Sequence, residues 1–107
     1  MLTSTTAVLQ DKIVEQYLGV ISAEVILGAN VLRDFSAGIR DFFGGRSGSY
    51  EKVFEQAKTE ALREIIQKAK DLGGNGVIGI AYNFSNLGSN GSMLMVAISG
   101  TAVIIRD

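Results

Sequence analysis

One long segment of the 107-residue chain, residues 49–72, has apolar positions that recur with the period of a helix. The spacing is three and four residues, which places them on a single face. These positions are Tyr50, Val53, Phe54, Ala57, Ala61, Leu62, Ile65, Ile66, Ala69 and Leu72. Glycine and serine precede the segment and Gly73-Gly74 follows it, as is typical of helix ends. The pattern predicts an amphipathic helix of roughly 36 Å, at about 1.5 Å per residue.

Three other segments, residues 13–26, 77–84 and 93–105, have the apolar runs and β-branched content of strands. We expect a bulge or bend in the first at Gly19 or at Ser22-Ala23. The second should place Ile78, Ile80, Tyr82 and Phe84 on one side. The third is apolar on both faces, which in a small sheet indicates cover by partner subunits. The second and third should pair antiparallel.

The remaining segments predict shorter elements. Residues 3–8 are β-prone and could form a sheet edge, and residues 10–12 form a turn. After Asn30, a plausible N-cap, apolar residues again line one helical face: Val31, Leu32, Phe35, Ile39, Phe42 and Phe43. Together the elements predict an α+β fold in one domain, 1–107, in which an antiparallel sheet packs on one short and one long helix in two layers.

Composition indicates self-association. The apolar fraction is 47% and the mean hydropathy is +0.26, which is high for a short chain with little interior. Burial against other copies accounts for the excess, so we expect a homo-oligomer. The net charge of -1 does not favour nucleic-acid binding. The N-terminal residues do not resemble a signal peptide, and the apolar runs are too short to span a membrane, so we expect a cytoplasmic protein.

The chain contains no cysteine and no histidine. Disulfides, thiolate nucleophiles, imidazole bases and Cys- or His-ligated metal sites are therefore excluded. An enzyme would have to rely on carboxylates, tyrosine or arginine, with Tyr50, Glu51 and Tyr82 as candidates for acid–base chemistry. Nothing in the sequence places a partner beside them, and we expect a protein that is not an enzyme and has no cofactor.

Three groups of residues could bind ions. A glycine-rich backbone, a helix N-terminus and an arginine form a candidate anion site at Gly44, Gly45, Arg46, Ser47, Gly48 and Ser49. Its alternative is a capped turn, and its spacing matches no nucleotide-binding motif. The carboxylates of Glu24, Asp34 and Asp41 could hold a hard cation, although nearby arginines favour ion pairs instead. Met93 and Met95 share a strand face and could bind a soft ion, or fill a core.

Four stretches together resemble the YbjQ-like family of small prokaryotic proteins. They are YLGV at 17–20, GANVLRDFSAGIRDFFGGRSGSYE at 28–51, AKDLGGNGVIGI at 69–80 and GSMLMVAISGTAVII at 91–105. The resemblance implies a dodecin-like subunit that assembles into a ring, with a pentamer favoured. It also brings a family label of heavy-metal binding, with no catalytic residues to transfer.

The residues and the resemblance together predict one function and leave an alternative open. The first is a non-enzymatic ring protein that binds a small ligand or a protein partner at subunit junctions. The alternative is a metal- or anion-binding protein, and the missing thiolate and imidazole ligands argue against a soft metal. A dodecin-like cofactor carrier is a further possibility.

Overall fold

The computed structural model describes residues 1–28, 46–87 and 93–107. These form strand β1 (Leu2–Thr3), strand β2 (Ile13–Leu27), helix α1 (Arg46–Asp71), strand β3 (Gly76–Leu87) and strand β4 (Met93–Arg106). The long helix and all three long strands lie where the apolar pattern predicts them. The predicted short helix after Asn30 falls outside the described residues.

The four strands form one sheet in the order β1-β3-β4-β2. β4 pairs antiparallel with both β3 and β2, so β3 and β2 run in the same direction on its two sides. β1 pairs parallel with β3. The predicted α+β fold is confirmed, and its three long strands pair antiparallel as expected. The sheet is mixed only because the two-residue β1 runs alongside β3 in the same direction.

Helix α1 covers one face of the sheet, which we call the helix face, and we call the opposite side the far face. Every fourth residue of α1 is buried against the sheet: Val53, Ala57, Ala61, Ile65 and Ala69. Three of the five are alanine, and a small side chain allows the helix backbone to approach the strands closely. Leu94, Val96 and Ile98 of β4 form the opposing part of this core.

Helix α1 ends in a glycine cap. Gly73 has φ +88°, and its N–H donates to the carbonyl of Lys70 at 2.9 Å. The N–H of Gly74 donates to the carbonyl of Ala69 at 2.9 Å, which completes a Schellman motif. The predicted turn after the helix is confirmed, and it leads directly into β3.

A bulge in β3 corrects one prediction about its faces. Ile78 pairs with Thr101 and Ala81 pairs with Ser99, so two residues of β3 lie opposite Gly100. The extra residue reverses the alternation, which places Val77 and Ile80 on the helix face and Ile78 with Thr101 on the far face. Ile78 therefore does not share a side with Ile80, as strict alternation had predicted.

The predictions for the first 27 residues hold in part. β2 is long and irregular as expected, with register shifts between Val14 and Gln16 and between Tyr17 and Gly19, where φ is +130°. No register shift occurs at Ser22-Ala23, so a bulge at that second expected position is wrong. Of the predicted edge segment 3–8, only Thr3 lies in a strand, since β1 is Leu2–Thr3. The turn at residues 10–12 is confirmed, with Asp11 at φ +64°.

Candidate functional site

The predicted anion site lies at the start of α1. The helix begins at Arg46, so Arg46, Ser47, Gly48 and Ser49 belong to its first turn and not to a preceding loop. Gly44 and Gly45 lie outside the described residues. The helix dipole would favour an anion at this end, and whether these residues bind one stays a prediction.

The predicted cation site is only partly described. Glu24 is exposed on the far face of β2, whereas Asp34 and Asp41 lie outside the described residues. Within residues 1–28, 46–87 and 93–107, no three Asp, Glu, Cys or His side chains come together in a way that could hold a metal ion. Met93 and Met95 are half-buried on the far face, on the same side as predicted.

The ion pairs are exposed and local. Glu55 pairs with Lys58 at 2.8 Å and Glu60 with Arg63 at 2.9 Å, both within α1. The hydrogen bond and the charge of Glu55 raise the pKa of Lys58 above its ordinary value. Such exposed pairs contribute little to the free energy of unfolding, and their charged groups remain accessible to solvent.

A second exposed group of charged side chains lies where β2 begins and β4 ends. Arg106 Nε contacts Glu15 Oε1 at 2.7 Å, and Lys12 pairs with Asp107. The hydrogen bond and the charge of Lys12 hold the pKa of the Asp107 carboxyl below its ordinary value. These four charged groups therefore form two exposed ion pairs.

The feature that the sequence reasoning missed is the outer edge of β2. β2 is an edge strand of the sheet, and among the described residues no strand pairs with its outer side. It also carries half of the large apolar side chains that are exposed in the described residues: Ile13, Tyr17, Val20 and Ile26. Val20 is 83% exposed. The signal was present in the sequence as β-branched and aromatic residues on a strand that has no lysine or proline.

An open cavity of about 480 Å³ lies on the helix face beside this edge. Val25 and Leu27 of β2 and Ala57 of α1 form the apolar part of its lining. Polar and charged side chains of α1 form the rest of the lining, which we call the charged rim: Glu55, Gln56, Thr59, Glu60 and Arg63. The cavity thus combines an apolar interior with a charged rim, and it lies beside the outer edge of β2, with which no described strand pairs.

On the flank of α1 that lies away from the cavity, aromatic side chains of α1 and β3 contact one another. The rings of Phe54 and Phe84 meet edge to face, with centroids 5.6 Å apart, and Tyr82 stacks on Phe84 at 6.5 Å. Phe84 is nevertheless 47% exposed. β3 is covered by the N-terminal segment only up to Ile80, whose N–H donates to the Ser4 carbonyl at 3.1 Å. The helix face therefore has an apolar cavity on one flank of α1 and a protruding aromatic side chain on the other.

Curated relatives match the chain over nearly its full length. UPF0145 protein sll118 of Synechocystis sp. is 49% identical over 107 residues, covering 98% of this chain and 99% of the relative. UPF0145 protein Npun_F4817 of Nostoc punctiforme is 49% identical over 108 residues, covering 99% of this chain and all of the relative. A crystal structure from Pediococcus pentosaceus, of a protein of unknown function in the DUF74 family, has a TM-score of 0.64. It is 23% identical and covers 99% of this chain and 98% of that chain, so the fold is shared.

The family model YbjQ_1, described as "Putative heavy-metal-binding", matches residues 1–106. The donor atoms of this chain do not fit that description. Soft metals prefer thiolate and imidazole, and the sequence has neither cysteine nor histidine. The described part of the chain also contains no helix with the length and apolar content needed to cross a bilayer. By the family model and its relatives, the chain belongs to the YbjQ-like family.

Proposed function

We propose that the protein is a non-enzymatic homo-oligomer, assembled as a ring, that binds a small ligand or a protein partner where its subunits meet. One observation carries the proposal: β2 combines an outer edge that no described strand covers with four exposed large apolar side chains. A long apolar edge strand is a template for pairing with another chain, and natural monomers protect such edges. A second copy of this chain is the partner we favour, because other copies are present wherever the protein is.

The argument against catalysis is chemical. Without cysteine or histidine, an acid–base site would need carboxylates, tyrosines or arginines that converge in a pocket. The described carboxylates are exposed or half-buried, and four of them already pair with a cation: Glu15, Glu55, Glu60 and Asp107. This arrangement supports a binding or scaffold role for the protein.

The test compares two valine variants with almost equal exposure in sedimentation velocity experiments. Val20→Asp places a charge on the exposed apolar part of β2, where the side chain is 83% exposed. Val8→Asp places the same charge in the N-terminal loop, where it is 80% exposed. The proposal expects an oligomer for the parent and Val8→Asp, and dissociation for Val20→Asp, because the charge would have to be desolvated. A parent protein that sediments as a monomer at micromolar concentration would overturn the proposal.

The alternative is a metal- or anion-binding protein, which the description of the family favours. A hard cation would use Glu24, Asp34 and Asp41, and an anion would use the backbone and side chains of 44–49. Arg46→Ala tests the anion version, with inorganic phosphate as the probe in calorimetry. If the parent binds phosphate and Arg46→Ala binds it equally well, the proposed anion site is wrong.

A further inference from the structure

We infer that the copies join head to tail, with the outer edge of β3 in one copy against the outer edge of β2 in the next. In this joint, Phe84 of one copy enters the cavity beside Val25 of its neighbour. The inference rests on the proposed function and identifies the partner element: the cavity is incomplete until a second copy contributes an aromatic side chain.

The register of the sheet provides the first argument. Phe84 and Val25 both pair with Val96, on opposite sides of β4. All three therefore lie on one row across the sheet, with their side chains on the helix face. When a second copy is placed beside the first in the same orientation, its Phe84 lies at the level of the first copy's Val25.

Strand direction provides the second argument. β3 and β2 run the same way, because each is antiparallel to β4. A lateral repeat of the whole sheet therefore brings β3 and β2 together as parallel neighbours, with no inversion of either copy. Such a heterologous joint closes into a ring when the rotation between copies permits, whereas a two-fold joint would stop at a dimer.

As far as the described residues show, the two edges are also open at matching levels. On β3 the N-terminal segment covers the strand up to Ile80, which leaves residues 81–87. On β2, Lys68 Nζ donates to the carbonyl of Ser22 at 2.6 Å, which leaves residues 23–27 beyond it. Those two stretches face each other across β4, since Tyr82 and Ala23 share Ile98, and Asn86 and Leu27 share Leu94.

Shape and chemistry complete the argument. Phe84 protrudes from the helix face with 47% of its surface exposed, although it is an aromatic residue. The cavity of about 480 Å³ has an apolar wall formed by Val25, Leu27 and Ala57, and it lies beside the edge that would receive this ring. Burying the exposed part of a phenylalanine in such a cavity is favourable, and it places the charged helix rim at the subunit junction.

Disulfide trapping tests the joint cleanly, because the chain has no cysteine of its own. The double variant Phe84→Cys/Val25→Cys places one thiol on each edge of the same chain. Two strand spacings separate the two positions within a chain, about 10 Å, which exceeds the roughly 7 Å limit for a disulfide. A bond can therefore form only between copies. We expect oxidation to give a ladder of covalent multimers on non-reducing gels that ends at the ring size.

The controls separate this joint from others. The single variants Phe84→Cys and Val25→Cys should remain uncrosslinked, and a covalent dimer of either would indicate a two-fold interface and overturn the inference. Asn83→Cys/Val25→Cys should also fail, because Asn83 is on the far face of the same strand. Asn86→Cys/Leu27→Cys, one row away, should crosslink as well, and it retains Phe84 if replacing that ring impairs folding.

The outcomes distinguish the two proposals. An oligomer of the parent protein that gives no crosslink with either designed pair would overturn the head-to-tail joint and leave the proposed function standing. A monomeric parent would overturn both. Crosslinking of both pairs, with the single variants unlinked, would establish the joint.

Discussion

Lys68 of the helix donates a hydrogen bond from Nζ to the carbonyl oxygen of Ser22 at 2.6 Å. The side chain spans from α1 to the outermost strand, so it ties the exposed edge of the sheet to the helix. The residues that follow Ser22 on β2 include Val25 and Leu27, which line the cavity, and in our proposal this stretch receives the next subunit.

Replacing Lys68 by methionine tests this tie. Lys68→Met keeps most of the aliphatic stem and removes the donor, so we expect a loss of about 1 kcal/mol in the free energy of unfolding, as for one exposed hydrogen bond. Urea unfolding at a fixed protein concentration provides the measurement. Lys70→Met, in the same helical turn, is the control. Equal effects of the two substitutions would contradict a specific role for Lys68.

Gly100 should not tolerate even a methyl group. A Cβ at this position would lie 2.8 Å from Val77 Cγ1, 3.2 Å from the Ile78 carbonyl oxygen and 3.3 Å from Ile80 Cγ1. Gly100→Ala should therefore destabilise the fold by about 1–3 kcal/mol through overpacking. Gly28→Ala is the matched control, since no atom of the described residues lies within 4 Å of its added Cβ. A neutral Gly100→Ala would show that the bulge opposite it can move aside.

Asn75 extends the sheet with its side chain. Its Nδ2 donates to the Ile105 carbonyl at 2.9 Å, and its Oδ1 accepts from the Ile105 N–H at 2.8 Å. Asn75→Ala removes both bonds, and we expect a loss of about 1–2 kcal/mol in urea unfolding. Asn75→Asp should be no better, because one carboxylate oxygen would face the carbonyl. The control Asn83→Ala, on the far face of β3, should be nearly neutral, and a similar loss there would refute the assignment.

The Lys12–Asp107 pair predicts a pH dependence on the acid side. The pKa of Asp107 is held below its ordinary 3.8 by the hydrogen bond and charge of Lys12. Because the folded pKa is lower than the unfolded one, the pair's stabilisation is present above pH 3.8 and is lost as the pH falls through the folded value. Lys12→Met should raise the pKa of Asp107 toward 3.8 in a carboxyl NMR titration. Arg106→Met, which breaks the neighbouring pair, is the control, and an unchanged titration in Lys12→Met would contradict the pairing.

The sequence predicted the architecture well where periodicity alone decides it. The stripe of Val53, Ala57, Ala61 and Ile65 defines α1 because each member repeats at the helical period. The face of Ile78 could not be read in this way, because the bulge opposite Gly100 depends on pairing with β4 and reverses the alternation. Local pattern carries no information about such a register shift.

The candidate site was harder to predict for a similar reason. Phe84 and Val25 are distant in the sequence and share only a common partner, Val96. Their relationship requires the strand order, which periodicity does not provide. The apolar excess predicted a homo-oligomer, which stays a prediction, but it did not indicate that half of the exposed large apolar side chains of the described residues lie on β2.

Native mass spectrometry of the untagged protein, purified without added metal, tests the central claim most directly. The account predicts one assembly whose mass is a whole multiple of the 11.4 kDa chain, with five copies favoured by the family resemblance. A constant excess per subunit would give the mass of a retained ligand and favour the binding role. A spectrum of single chains at micromolar concentration would contradict the account, because the exposed edge of β2 would then be stable without a partner.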